Sequence, residues 1–310
     1  MAAVAAAGAS RRRRFRYVAE RRGALAALLI SPAVLFIAAL VGAPLVLAIY
    51  VSFTDATAGS LTGKWVGFAN FRHELSDPIF RGALWHTFLF TVISQAVVIV
   101  CAGLLAHALV RSFRGRWILR FFILLPWAAP IALTAVGFLW FYDPQASIWT
   151  WLLLKAHIVT EASKPYWLST PKAAMSSIIT VQAWRTIPFA TVIFLAGISS
   201  IPGEVDDAAA MDGATGLKKF WYVSLPLQLP IALVAVLFGI IFTATDIIVP
   251  YILTNGGPFN STQVLTTYAF QTGINAGNIG QGAAIALFML PLLVAVTIGM
   301  LFFARRAEVT

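Results

Sequence analysis

The chain alternates long apolar runs with shorter polar stretches, and the length of those runs sets the first expectation. A helix rises about 1.5 Å per residue and the hydrocarbon core of a bilayer is about 30 Å thick, so about 20 mostly apolar residues suffice to cross it. Six runs meet that length: Ala24 to Val51, Trp85 to Leu109, Trp117 to Phe141, Ala173 to Ile198, Leu227 to Ile248 and Ile279 to Phe303. Backbone amides cannot stay unpaired in lipid, so each run is predicted to be a membrane-spanning helix. Prolines interrupt several of them, at Pro32, Pro44, Pro126, Pro130, Pro188 and Pro291. Each removes a backbone hydrogen bond and can kink its helix. The long connections after the first, third and fifth runs are rich in Pro, Gly, Trp and Asn. They read as packed structure or partner contacts, not slack linkers.

Composition supports this pattern. Apolar residues make up 60% of the chain and charged residues 11%, against roughly 25% charged in a soluble domain, so a water-soluble fold is excluded. The net charge of +10 becomes informative once it is distributed over the spans. With the N-terminus in the cytoplasm, the inner side receives Arg11 to Arg14, Arg16, Arg21, Arg22, Arg111, Arg114, Arg116, Arg120, Lys218, Lys219, Arg305 and Arg306. The outer side receives only Lys64, Arg72, Arg81, Lys155, Lys164 and Lys172. That bias predicts both termini inside. It also assigns the charge to topology and anionic headgroups, with no nucleic-acid partner. The basic N-region could open a cleaved signal peptide or a twin-arginine signal. The first run is longer than a signal core and five more follow it, so it is read as an uncleaved span. The expected organisation is a basic tail at 1–22, with Met1 to Ser10 disordered, a six-helix domain at 23–304 and a short tail at 305–310.

Candidate chemistry is sparse. The single cysteine, Cys101, can form no internal disulfide. His86 and His107 stand at opposite ends of one predicted helix, where packing is favoured over joint metal or haem ligation. Trp140, Tyr142, Trp149 and Trp151 read as an interfacial aromatic belt, and Tyr251 as belonging to that belt or to an outer gate. Gly59 to Lys64 misses the spacing of a phosphate-binding loop, and Trp65 replaces its hydroxyl residue. No H-E-x-x-H or G-x-S-x-G run occurs, so no hydrolase centre is visible. Any energy source must lie on another chain.

The most informative connection is Ile201 to Pro230. Glu204, Asp206 and Asp207 open an alanine-rich segment at the positive end of a helix dipole, and Gly213 or Gly216 offers the left-handed residue that would end it. A short amphipathic piece through Phe220, Trp221 and Tyr222 follows, and Pro226 restarts a helix. By physics alone this could be any surface helix pair. The run Asp207, Ala208, Ala209, then Gly213, then Val223, Leu225 and Pro226 resembles the EAA-x3-G-x9-I-x-LP motif of permeases in ATP-binding-cassette importers. Asp207 stands for the usual Glu and Val223 for the usual Ile. Ala210, Asp212 and Ala214 fit the sugar-importer version. Leu253 to Pro258, LTNGGP, resembles a segment of the same branch, and Leu125 to Pro130, LPWAAP, is a weaker match.

This resemblance covers roughly Ala24 to Phe303. It implies an all-α membrane protein with the type I (MetI-like) importer fold and a cytoplasmic coupling helix within 201–226. It also implies a bacterial cytoplasmic-membrane location. Implied partners are a second, similar permease, two ATPase subunits carrying ATP and Mg²⁺, and an extracytoplasmic solute-binding protein, with no cofactor or catalysis in this chain. Glu204, Asp206, Asp207, Ala208, Ala209, Asp212 and Gly213 are then the expected ATPase-coupling residues.

Two charges lie within spans, Arg185 and Asp246. Each costs roughly 2.5 to 3.5 kcal/mol if it faces lipid, so both are expected to face protein or water. One reading is a structural ion pair, for which Arg185 must reach outward by about one or two helical turns. The other is a polar chamber. Gly239, Thr243 and Asp246 share one helix face, as do Gln182, Arg185 and Phe189. Donors and acceptors with an aromatic ring suit a sugar. The resemblance to maltose-type permeases marks Arg185, Thr186, Phe189, Gly239, Thr243 and Asp246 as solute contacts, although the amides of that permease are replaced here. The competing functions are an ion-gradient transporter or channel using Asp246, for which no inverted repeat is visible, and a membrane enzyme on lipid-linked sugars, for which no paired carboxylates are found.

Overall fold

A computed structural model describes residues 22–60 and 62–308. The basic tail from Met1 to Arg21, with the disorder expected at Met1 to Ser10, lies outside the described residues. The chain divides into two units after Val51.

The first unit is one apolar rod: α1 (Arg22–Ile37), a π-helical turn (Ala38–Gly42) and α2 (Ala43–Ser52), whose last residue opens the second unit. Leu29, Phe36 and Val46 on it are exposed. Pro44 explains the widened turn. A proline cannot donate to the carbonyl four residues back and its ring crowds that group, so the ladder shifts, with the Ala43 N–H bonded to the Ala38 carbonyl.

The second unit is helical throughout. In chain order it contains α3 (Ala69–Ser76), α4 (Pro78–Val110), α5 (Arg116–Ala128), α6 (Ile131–Phe141), α7 (Ile148–Lys155), α8 (Pro171–Ser199), α9 (Gly203–Met211) and α10 (Gly216–Lys219). A π-helical turn at Phe220–Ser224 leads into α11 (Leu225–Ala244), followed by α12 (Ile248–Leu253) and α13 (Leu265–Phe270). After a third π-helical turn at Gln271–Asn275 come α14 (Ile279–Leu287) and α15 (Met289–Glu308). The turn at Phe220–Ser224 repeats the earlier device, with Pro226 two residues past its end as Pro44 is past Gly42.

Five helical stretches are long and apolar enough to cross a membrane, and α5 with α6 makes a sixth as a pair bent by 100°. The third apolar run is therefore not the single rod predicted. Ala129 is extended, as a residue before proline prefers, and Pro130 caps α6, so the two halves part at Ala129 and Pro130. The fifth run also ends sooner than expected: α11 stops at Ala244 and Ile248 starts a separate helix. The second begins earlier, at Pro78, because Asp77 caps it by accepting from the Ile79 N–H at 2.9 Å.

The core is built on small residues. Ala102 and Ala106 of α4 meet Ala183 and Ala190 of α8 and Ala235 of α11, with Val98 and Phe194 filling between. Without a hydrophobic drive between helices in lipid, such close backbone approach is what holds spans together. Tyr142 is 4% exposed and packs with Phe90, Ile178 and Val249, so it belongs to the core and not to the aromatic belt expected of it. Trp140, Trp149 and Trp151 remain exposed. Tyr251 packs edge-on against Phe270, their centroids 5.2 Å apart.

Candidate functional site

Three spans contribute polar side chains to one buried network. Thr243 of α11 accepts from the Gln95 amide of α4 at 2.9 Å and from the Gln182 amide of α8 at 3.3 Å. The Arg185 guanidinium donates to Gln182 Oε1 at 3.3 Å and lies 2.5 Å from Asp246 Oδ2. Asp246 sits in the break after α11, where its other oxygen accepts from the Val249 N–H in the first turn of α12 at 3.0 Å. The ion pair is thus made, Arg185 reaching along the bundle to the end of the fifth span.

Each expected solute contact has a definite place. Gln182, Thr186 and Thr243 are fully buried and Asp246 nearly so. The Thr186 hydroxyl donates to the Gln182 carbonyl at 2.8 Å. Gly239 leaves room for Gln95: a Cβ there would come within 2.3 Å of Gln95 Oε1. Arg185 is half-buried, and its Nε is a buried donor with no partner among the described residues. Phe189 is drawn away from the network into an aromatic wall. Trp127 stacks on it with centroids 5.0 Å apart and planes at 23°, and Phe238 and Phe242 pack edge-on at 6.2 and 5.4 Å.

Sequence reasoning missed Gln95 and Trp127. Gln95 could have been found from its face, since Thr87, Thr91, Ser94 and Gln95 cluster within an otherwise apolar span. Trp127 had no such signal, because its orientation depends on the bend at Ala129 and Pro130.

The connection at 201–226 forms the expected short helix. Glu204 and Asp206 stand in the first turn of α9. Gly213 takes φ +70°, with its N–H on the Ala210 carbonyl at 3.1 Å and the Ala214 N–H on the Ala209 carbonyl at 2.8 Å, a Schellman ending. Glu204, Asp207, Ala208, Asp212 and Gly213 are exposed, whereas Ala209 is buried. Asp206 pairs with Lys219 at 2.8 Å, fastening α9 to α10. Met211, 88% exposed, is an apolar knob that the motif did not mark.

At the opposite ends of the spans, LTNGGP is a built turn. Gln271 donates to the Asn255 side chain at 2.8 Å, and Thr262 to the Gly257 carbonyl at 2.6 Å. Nearby, Tyr268 donates to Asp77 and stands close to Glu74. Burial pushes the Glu74 carboxyl from the ordinary 4.5 up to about 7, with His73 opposing and Asp77 reinforcing the rise.

Comparison with known proteins bears on the family and the fold. A family described as "Binding-protein-dependent transport system inner membrane component" matches residues 99–309. The sulfoquinovosyl glycerol transport system permease protein SmoG of Agrobacterium fabrum is 30% identical over 274 residues, 88% of each chain. The trehalose/maltose transport system permease protein MalF of Thermococcus litoralis is 31% identical over 234 residues, 76% of this chain and 78% of that one. A chain in the crystal structure of a bacterial alginate transporter, in complex with a periplasmic protein bound to an alginate pentasaccharide, superposes with a TM-score of 0.77. It is 19% identical, over 93% of this chain and 96% of that one, a likeness of fold.

Proposed function

Since the chain belongs to the family of binding-protein-dependent transport system inner membrane components, we propose that it is one of two membrane-spanning subunits of an ATP-driven importer for a sugar or related polar solute. Two cytoplasmic ATPase subunits bind ATP and Mg²⁺ and hydrolyse it. A second, similar permease completes the pathway, and an extracytoplasmic binding protein delivers the solute. Both termini face the cytoplasm, consistent with the Lys and Arg bias.

The observation that carries this reading is α9, a nine-residue helix set off from the spans with Glu204, Asp207, Ala208 and Ala210 exposed and a glycine ending. Small side chains permit close docking, and exposed carboxylates can steer a basic partner. Lys219 holds α9 through Asp206 to the segment that continues into α11, so a push on α9 has a mechanical route to the span that carries Thr243. The ATPase subunits should copurify with this chain and their hydrolysis should be stimulated by the loaded binding protein. Asp207→Arg should keep the ATPase subunits active but sever hydrolysis from uptake in reconstituted vesicles. Coupled transport by that variant would refute the assignment.

For the solute, the aromatic wall of Trp127, Phe189, Phe238 and Phe242 suits the C–H face of a sugar ring, and the partly exposed Arg185 guanidinium suits a hydroxyl. Gln182, Thr243 and Gly239 support the wall by holding α4, α8 and α11 together, while Thr186 is bonded within α8. Asp246 neutralises Arg185, which favours an uncharged sugar over an anionic one. The same pairing disfavours an ion-gradient carrier that needs Asp246 free. Arg185→Gln should lower uptake by about tenfold, the loss of one charge-assisted hydrogen bond, while the partner subunits still copurify. Full uptake would remove Arg185 from the pathway.

A further inference from the structure

At the ends of the spans that lead into α9, a groove of about 340 Å³ runs between α5 and α8, lined by Leu109, Arg120, Leu124, Val192 and Leu195. Its walls are apolar apart from Arg120 and two hydroxyls, Thr191, which is spent on the Ile187 carbonyl at 2.8 Å, and Ser199. Arg120 enters it one turn into α5, and its Nε is buried with no hydrogen-bond partner among the described residues. Neither Arg120 nor Arg111, Arg114 or Arg116 makes an ion pair among the described residues. Arg116, four residues before Arg120, shares its helix face. No acidic residue occurs between Asp77 and Asp143, so local sequence supplies no counterion. On the same side of the spans Asp206 is taken by Lys219, and Glu204, Asp207 and Asp212 are exposed and make no ion pair with Arg120 among the described residues.

A cation above an apolar channel at a membrane surface is complementary to one kind of molecule, an anion with a hydrocarbon tail. An unpaired buried guanidinium donor is costly, and a phosphate oxygen is the acceptor that pairs with it most strongly. We propose that this groove seats an anionic phospholipid of the inner leaflet, with its phosphate on Arg120 and one acyl chain along Leu124, Val192 and Leu195. The seat lies where α8 ends at Ser199, four residues before α9 begins, so a bound lipid would brace the root of the coupling segment. This inference rests on the orientation proposed above and not on the identity of the solute.

The test is native mass spectrometry of the assembled importer in detergent, titrated with phosphatidylglycerol, with phosphatidylcholine and with inorganic phosphate. Wild type should bind one phosphatidylglycerol per copy of this chain, at least about fivefold tighter than phosphatidylcholine, the contribution of one cation at a membrane surface. Millimolar inorganic phosphate should not displace it. Arg120→Gln should abolish the preference for phosphatidylglycerol. Val192→Trp, which fills the channel without touching the charge, should lower the affinity for both lipids and decides the matter if Arg120→Gln does not assemble. Retention of the preference in Arg120→Gln, unaltered binding in Val192→Trp, or displacement by free phosphate would each overturn the proposal. Labelling of Ser112→Cys from either side of the membrane reports the orientation separately.

Discussion

Gln95 and Gly239 show how one missing methyl group sets the polar network. Gln95 Oε1 occupies the space a side chain at position 239 would need, and its amide nitrogen reaches Thr243 only because that space is open. Gly239→Ala should therefore destabilise the protein by about 1 to 3 kcal/mol, as overpacking does. Gln95→Ala in the same chain should recover part of that loss, a coupling that thermal unfolding of the two single variants and the double variant would measure. The second residue-scale prediction concerns charge. Asp246→Asn keeps the shape of the site but releases Arg185 from its counterion, so the variant should gain relative uptake of anionic sugars over neutral ones in a competition assay. Unchanged selectivity would separate the ion pair from solute choice. The third concerns Glu74. Its carboxyl titrates near 7 instead of 4.5, so the stability it contributes is full below pH 4.5 and is lost as pH rises through about 7. Protection factors for hydrogen exchange at Ala69–Ser76, with the intrinsic pH dependence divided out, should fall over that window in wild type and stay level in Glu74→Gln.

At the scale of elements, backbone punctuation matters more than apolar content. Pro130 turns one predicted span into two helices at 100°, and that bend presents Trp127 to Phe189. Two of the three π-helical turns end two residues before a proline, where the displaced carbonyl would otherwise be crowded. Gly213 ends α9 in a conformation that costs any other L-residue roughly 1 to 2 kcal/mol. Gly213→Val should unravel the last turn of α9, lower ATP-driven uptake and leave passive binding of solute to its delivery protein untouched. A variant that transports normally would mean that the exit from α9 bears no force. The end of α9 at Gly213 was readable because residue type and spacing there follow local helix-ending rules, whereas the motif at 207–226 was read from a family resemblance. The length of α11 was not, because Ile247 and Ile248 are as apolar as the residues before them, yet the helix ends at Ala244 and Asp246 takes the Val249 N–H of the next one.

For the molecule as a whole, family membership and fold agree with the reading of six apolar runs. The reason is physical: partition into lipid depends on a length of apolar chain and on flanking charge, both one-dimensional properties. Sequence alone therefore determined the long apolar runs and the short helix at Gly203–Met211. It also presented Arg185 and Asp246 as equally able to form an ion pair or to line a chamber. Tertiary structure decided that they pair, that Tyr142 is core, and that Gln182 and Thr243 face each other and not open space. Gln95 and Thr243 are 148 positions apart, and no local pattern encodes their meeting. A hydrogen bond needs two groups at one point in space, and only the packing of α4, α8 and α11 on their alanines brings them there.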